Sequence, residues 1–170
     1  MMTSRRTFFT ACGGLILLPN FSFGEHITTP RQSEGPFYPD IIPEDNDNNL
    51  VKNGNNKMES GGNILNLFGI VLNPNSKPLK GLTIEIWQTD KNGVYLHSGS
   101  IRAKNRDNQF QGFGRTISDQ NGKFYFRTII PGEYPGRTPH IHLKIWNMNK
   151  NILTTQFYIH GHPLNIEDFI

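Results

Sequence analysis

Leu82-Thr-Ile-Glu-Ile-Trp-Gln88 decides the fold class. Leu82, Ile84 and Ile86 alternate with Thr83 and Glu85, the period-two pattern of a strand with one face in a core and the other turned outward. The same signature recurs in short pieces on either side. Residues 64–72 are apolar and β-branched and end at the turn Asn73-Pro-Asn-Ser76. Asp90-Lys-Asn-Gly93 is a turn, and residues 96–111 read as a long loop. Residues 114–118 form a short strand, Asp119-Gln-Asn-Gly122 a tight turn, and residues 123–128 are expected to pair back, with Phe124 and Phe126 on one face. Residues 138–146 and 152–159 complete the set. No stretch of ten or more residues beyond the first 24 has helical periodicity. Short strands at this spacing predict an all-β fold, an antiparallel β-sandwich with long loops.

The 170 residues suit a single domain with a proper core, expected over residues 25–170. The formal charge is +3, and the first 24 residues hold Arg5 and Arg6 and no acid. Without them 15 basic and 14 acidic side chains remain, and no Lys/Arg-rich run exists, so nucleic-acid binding is not expected. Ser4-Arg-Arg-Thr-Phe-Phe9 resembles a twin-arginine export motif. An apolar stretch to about Pro19 and small residues around Ser22 and Gly24 follow, so residues 1–24 read as a signal peptide. The stretch is too short for an ordinary membrane-spanning helix. An exported, periplasmic protein is expected, with no membrane attachment after signal removal. The one cysteine, Cys12, lies in that segment, so the mature chain has no thiolate for a metal, a disulfide or nucleophilic chemistry.

Residues 26–39 contain Thr28-Thr-Pro-Arg-Gln-Ser-Glu-Gly-Pro-Phe-Tyr-Pro39, an extended arm whose prolines and glycine forbid a regular helix. Phe37 and Tyr38 suggest that it is laid across the domain. Residues 40–63, rich in Asn, Asp and Gly, read as solvated loop.

Pro131-Gly-Glu-Tyr-Pro-Gly-Arg-Thr-Pro-His-Ile-His142 is where chemistry gathers. In a strand, His140 and His142 leave the same face while Ile141, Leu143 and Ile145 point into the core. Neutral imidazoles side by side are a metal platform. Tyr95, after the Gly93 turn, and Tyr134 would complete an N2O2 donor set. Phenol ionises near pH 10, so holding two phenolates at neutral pH requires a strong Lewis acid, which points to Fe(III) rather than zinc.

These residues carry a resemblance. The arm, Trp87-Gln-x-Asp-x-x-Gly-x-Tyr95, Gly112-Phe-Gly-Arg-Thr116, and Asp119-x-x-Gly-x-Phe-x-Phe-Arg-Thr-Ile-x-Pro-Gly-x-Tyr-Pro135 are similar to the intradiol ring-cleavage dioxygenases. So are His140-Ile-His142, Gln156 and Gly161-His-Pro-Leu164. The likeness spans about residues 28–165. It implies Fe(III) held by Tyr95, Tyr134, His140 and His142. It also implies opening of a catechol-type ring between its hydroxyls, with both atoms of O2 ending in a muconate-type diacid. Tyr134 is then the ligand that yields to substrate and takes a proton. Arg137 matches the arginine that stabilises charge developing on the ring, and Gln156 a hydrogen-bonding residue behind the site. Members of the family often assemble into dimers or larger forms, which leaves a homo-oligomer open. One departure stands out. Only five residues separate Tyr134 from His140, where the family carries a longer insert that helps wall the substrate pocket.

Other readings of the residues remain open. Tyr38, Tyr125 and Tyr158 suit packing or arm anchoring, and Trp87 and Trp146 suit a core or sheet face. His160 and His162 make a second His-x-His, read as loop residues, and raise a four-histidine copper or zinc site. His97 and Arg102 fall in the long loop without an assigned role. A cupin would want a glutamate soon after His142, and residues 143–150 hold none. Residues 66–128 also resemble prealbumin-like binding modules, which have no reason to gather Tyr134, Arg137, His140 and His142.

Overall fold

The computed structural model describes residues 27–55 and 58–168. The expected signal segment, residues 1–24, lies outside them. The described chain is an antiparallel sandwich of six strands: β1 (Ile64–Ile70), β2 (Thr83–Trp87), β3 (Phe113–Ile117), β4 (Lys123–Ile129), β5 (His140–Asn147) and β6 (Lys150–Tyr158). One sheet is β1-β4 and the other β3-β2-β5-β6. The helical content of the described residues is two 3-10 turns, Ala103–Asn105 in the long loop and Pro163–Ile166 after β6.

Alternation builds the core as the sequence predicts. Leu82, Ile84, Ile86, Ile141, Leu143 and Ile145 from the larger sheet meet Phe124, Phe126 and Ile129 from β4, and Leu65 and Leu67 of β1 pack against them. Each large side chain taken from water contributes roughly 1.5–3 kcal/mol, so this inter-sheet layer holds the sandwich together.

Three expectations are corrected. The strand after the Asp119 turn does not pair back on β3; it crosses to the other sheet and pairs with β1. The reason is that the outer edge of β3 is already taken. Arg115 N donates to Asn46 O at 2.7 Å, and Gln111 N to Leu50 O at 2.9 Å. The same segment reaches β4, where Leu50 N donates to Arg127 O and Arg127 N to Asn48 O, both at 2.8 Å. Residues 46–51 are therefore no solvated loop: they wedge between the sheets and bury Leu50 and Val51 completely. Gly114 permits this, since a Cβ there would stand 2.4 Å from Leu50 Cδ1. Glu85 does face away from the inter-sheet core, yet it is only 2% exposed.

That second face of the larger sheet is covered by the arm. Gln32 N donates to Thr154 O at 2.9 Å, and Tyr38 Oη to Glu85 at 2.9 Å. Glu85 also accepts from Trp146 Nε1 at 2.7 Å and from both Nε and Nη2 of Arg115, at 3.0 and 2.6 Å. Lys144 pairs with Glu34 of the arm and lies 4.0 Å from the centre of the Tyr38 ring. A second apolar cluster forms beneath the arm, built on Trp87, Tyr95 and Phe113 with Phe37, Tyr38 and Tyr134 against them. Register decides what stands here: Trp87 lies opposite His142, and His142 opposite Gln156, in one row across β2, β5 and β6.

Candidate metal centre

Three donors converge under the arm. Tyr95 Oη lies 3.1 Å from His140 Nε2 and 3.2 Å from His142 Nε2, and the two Nε2 atoms are 3.1 Å apart. All three residues are buried, at 2–4% exposure. His140 Nδ1 donates to the carbonyl of Thr138 at 2.7 Å, which fixes the tautomer and leaves the Nε2 lone pair facing the other donors. His142 is held by stacking on Trp87, with ring centres 4.6 Å apart and planes within 5°. Its Nδ1 is buried without a hydrogen-bond partner.

The electrostatics suit a cation. Burial, then the neighbouring His140 and the Arg137 charge, push His142 down to about 2. Burial likewise lowers His140, against the opposing pull of the Thr138 carbonyl. Both shifts favour the neutral imidazole, the form that binds a metal ion. Burial raises the Tyr95 phenol above its usual range, reinforced by Tyr134 and opposed by Arg137. Only a positive charge among the donors would ionise it. Donors that share one ion at roughly 2.0–2.1 Å stand about 3 Å apart, which is the spacing seen.

Two turns bring the second tyrosine alongside. Asp90, fully buried, accepts from Asn92 N and Val94 N at 2.8 and 3.0 Å and fixes the turn that presents Tyr95. Gly93 has φ +75°, and a Cβ there would lie 2.0 Å from Glu133 O, so the loop bearing Tyr134 lies directly on that turn. The Tyr134 ring stands edge-on to Tyr95 at 5.8 Å, and edge-on to Phe37 at 5.8 Å. Phe37 itself stacks on Tyr95 at 5.0 Å. Tyr134 joins no hydrogen bond of the triangle: the structure sets its half-buried phenol beside the three donors. Tyr95, Tyr134, Thr138 and His140 line one narrow gap. Outside it opens a cleft of about 410 Å³, in the size range of small-molecule sites, lined by Arg102, Tyr134, Arg137, Thr138, Leu164 and Asp168 among others.

The family model described as Dioxygenase matches residues 33–170. The chain belongs to the intradiol ring-cleavage dioxygenase family. It is 35% identical over 146 residues to the protocatechuate 3,4-dioxygenase beta chain of Burkholderia cepacia, covering 79% of this chain and 60% of that one. Against catechol 1,2-dioxygenase 1 of Acinetobacter lwoffii it is 30% identical over 171 residues, covering 83% and 49%. The chain therefore spans about half to three-fifths of the length of these curated relatives. Among solved structures, the dioxygenase domain of a dioxygenase carbohydrate-binding protein fusion from Streptomyces sp. SirexAA-E is 35% identical, with a TM-score of 0.66. That match covers 83% of this chain and 80% of the other. The intradiol ring-cleavage dioxygenase of Tetranychus urticae is 28% identical, with a TM-score of 0.62, over 78% and 64% of the two chains.

Within this intradiol dioxygenase fold the remaining sequence-predicted residues are placed as follows. Arg137 and Gln156 meet, Nη2 donating to Oε1 at 2.8 Å. Gln156 is tied to the arm, its Nε2 donating to Ser33 O at 3.0 Å and its backbone N–H to Gln32 Oε1 at 2.8 Å. His162 accepts from Leu164 N within the segment after β6, apart from the triangle, and His97 meets Phe37 edge-on at 5.7 Å. Among the described residues no group of three or more His, Cys, Asp or Glu side chains could hold a metal ion, so the four histidines do not gather into one site. Sequence reading did not find the roles of Phe37, the Thr138 carbonyl or Asp168. Phe37 was signalled by its place in the arm; a backbone carbonyl and an isolated aspartate carry no pattern.

Proposed function

We propose that the chain is an Fe(III)-dependent intradiol dioxygenase acting on a catechol-type ring. The observation that carries this is the convergence of Tyr95 Oη, His140 Nε2 and His142 Nε2 within 3.1–3.2 Å of one another, beside a cleft that Tyr134 and Arg137 line. Tyr95, His140 and His142 would hold the ion, with Tyr134 as the fourth ligand. Ferric iron, when bound, supplies Lewis acidity that ionises phenols and draws electron density from a bound catechol.

The chain's own residues do the rest. The Thr138 carbonyl keeps His140 Nε2 presented, and the stack on Trp87 does the same for His142 Nε2. Tyr134 Oη takes one substrate hydroxyl proton at the mouth of the cleft. Arg137, permanently cationic, stabilises negative charge developing on the ring. Phe37 and the arm keep bulk water from Tyr95, which strengthens each electrostatic contact. In the reaction the bond between the two hydroxyl-bearing carbons breaks, each carbon becomes a carboxyl, and both atoms of O2 enter the product. Catechol plus O2 thus balances the diacid with no further reactant. The Ser4–Phe9 motif supports the further reading that the chain works outside the cytoplasm, which cell fractionation of a tagged protein would test.

The test is a visible spectrum and metal analysis of the purified protein, before and after catechol is added in air. A broad tyrosinate-to-iron band that shifts on addition, followed by a product 32 mass units heavier than catechol, is expected. Colourless protein with stoichiometric zinc or copper, or iron-loaded protein that leaves catechol intact, would refute the proposal.

A further inference from the structure

Arg137 is held on two sides. Its Nε donates to one oxygen of Asp168 at 2.6 Å, and its Nη2 to the other at 3.1 Å. Nη2 also donates to Gln156 Oε1, which accepts from Tyr158 Oη at 3.3 Å. Both members of the ion pair are buried, with side chains 8% and 4% exposed. Burial works against the Arg137 charge, but the hydrogen bonds and charge of Asp168 outweigh it and hold the guanidinium above its ordinary range.

Asp168 is itself placed by the segment after β6. Thr138 Oγ1 donates to Asn165 Oδ1 at 2.7 Å, and Asn165 Nδ2 to Ile159 O at 2.9 Å. This segment is thereby pinned to Thr138, the residue whose carbonyl orients His140. The same backbone stretch that aims a metal donor also anchors the aspartate that aims the arginine.

We infer that Asp168 is the positioning residue for Arg137. A single acceptor such as Gln156 Oε1 leaves a guanidinium free to swivel about that bond. A carboxylate that takes Nε and Nη2 together fixes the plane as well as the position. The inference rests on the intradiol reading for its consequence, since only there does the angle of Arg137 govern turnover. Removing the carboxylate takes away the two-point contact that sets the guanidinium plane, and the group then tilts within the cleft. Misplacement of about 1 Å in such a group lowers rates by up to about a hundredfold.

The experiment compares wild type, Asp168→Asn, Asp168→Glu, Arg137→Ala and the double variant Arg137→Ala/Asp168→Asn. Iron content and sheet signal are checked in each. Steady-state turnover of catechol is one readout. The other, independent of activity, is the rate at which phenylglyoxal modifies Arg137 in the metal-free protein, mapped by mass spectrometry. Asp168→Asn is expected to lower kcat about 10–100-fold with KM changed less than about threefold, and to speed modification of Arg137 roughly tenfold. Asp168→Glu should recover part of both, and on Arg137→Ala the Asp168→Asn change should have no further effect. Unaltered kcat and protection would overturn the assignment. So would an equal loss on the Arg137→Ala background, which marks a merely structural role, and so would faster turnover in Asp168→Asn, which marks a brake. Wild type inert toward catechol would refute the intradiol reading, while the phenylglyoxal contrast would still judge whether Asp168 holds Arg137.

Discussion

Gly93→Ala tests how the two tyrosines are brought together. At φ +75° an alanine adopts the left-handed conformation at a cost of about 1–2 kcal/mol. Its Cβ would also stand 2.0 Å from Glu133 O, where ordinary contact begins near 3.4 Å, so the carbonyl must retreat by about 1.4 Å. Overpacking of this kind adds about 1–3 kcal/mol, for a total near 3 kcal/mol. For a domain of this size that lowers Tm by roughly 6–12 °C. Gly81→Ala is the control: φ there is +74°, but nothing lies within 4 Å of the added Cβ, so only the conformational part remains, roughly 2–8 °C. Thermal unfolding followed by circular dichroism reads both. Because Glu133 precedes Tyr134, the retreating loop carries the phenol with it, and turnover should fall about a hundredfold. A Gly93→Ala protein within a degree of Gly81→Ala, with unimpaired turnover, would refute the argument that this close contact sets the Tyr134 position.

Tyr95→Phe removes one corner of the donor triangle; iron content by metal analysis should fall several-fold and the visible band should lose most of its intensity. Glu85→Ala strands three donors that now share one buried carboxylate and frees Tyr38 of the arm; a loss of about 3 kcal/mol in denaturant unfolding is expected. Burial raises the Asp107 carboxyl, but donors at Gln109 N, Gly61 N and Lys91 outweigh it and hold the carboxyl below its usual value. A depressed carboxylate contributes stability that is present above its unfolded pKa of about 4 and is lost as pH falls through the lower folded value. Asp107→Asn should therefore flatten the acid side of the stability profile below about pH 4 while lowering stability at pH 7, as read by Tm against pH.

The alternation at residues 82–88 foretold which side chains enter the inter-sheet core, because a strand's period is a local property. His140 and His142 were legible for the same reason, and Tyr95 followed from the family's spacing. The sheet to which β4 belongs was not legible, since it depends on residues 46–50 taking the free edge of β3, and that stretch of Asn and Asp has no periodicity to announce a strand-like role. Glu85 misled for a related reason: alternation says which face a side chain leaves from, not whether another segment roofs that face. Asp168 was invisible because its partner lies 31 residues away and neither flanking residue repeats a pattern.

The arm joins distant parts of the chain. Gln32 and Ser33 bond to residues 154–156, more than 120 positions later, and a few residues on Phe37 stacks over Tyr95. On a ribosome the arm is made early and must wait, unpaired, until β6 has emerged. Contacts of such sequence separation form slowly, because the entropy of closing the intervening chain comes before any reward. The roof over Tyr95, His140 and His142 thus depends on contacts between the two ends of the described chain, the slowest kind to form.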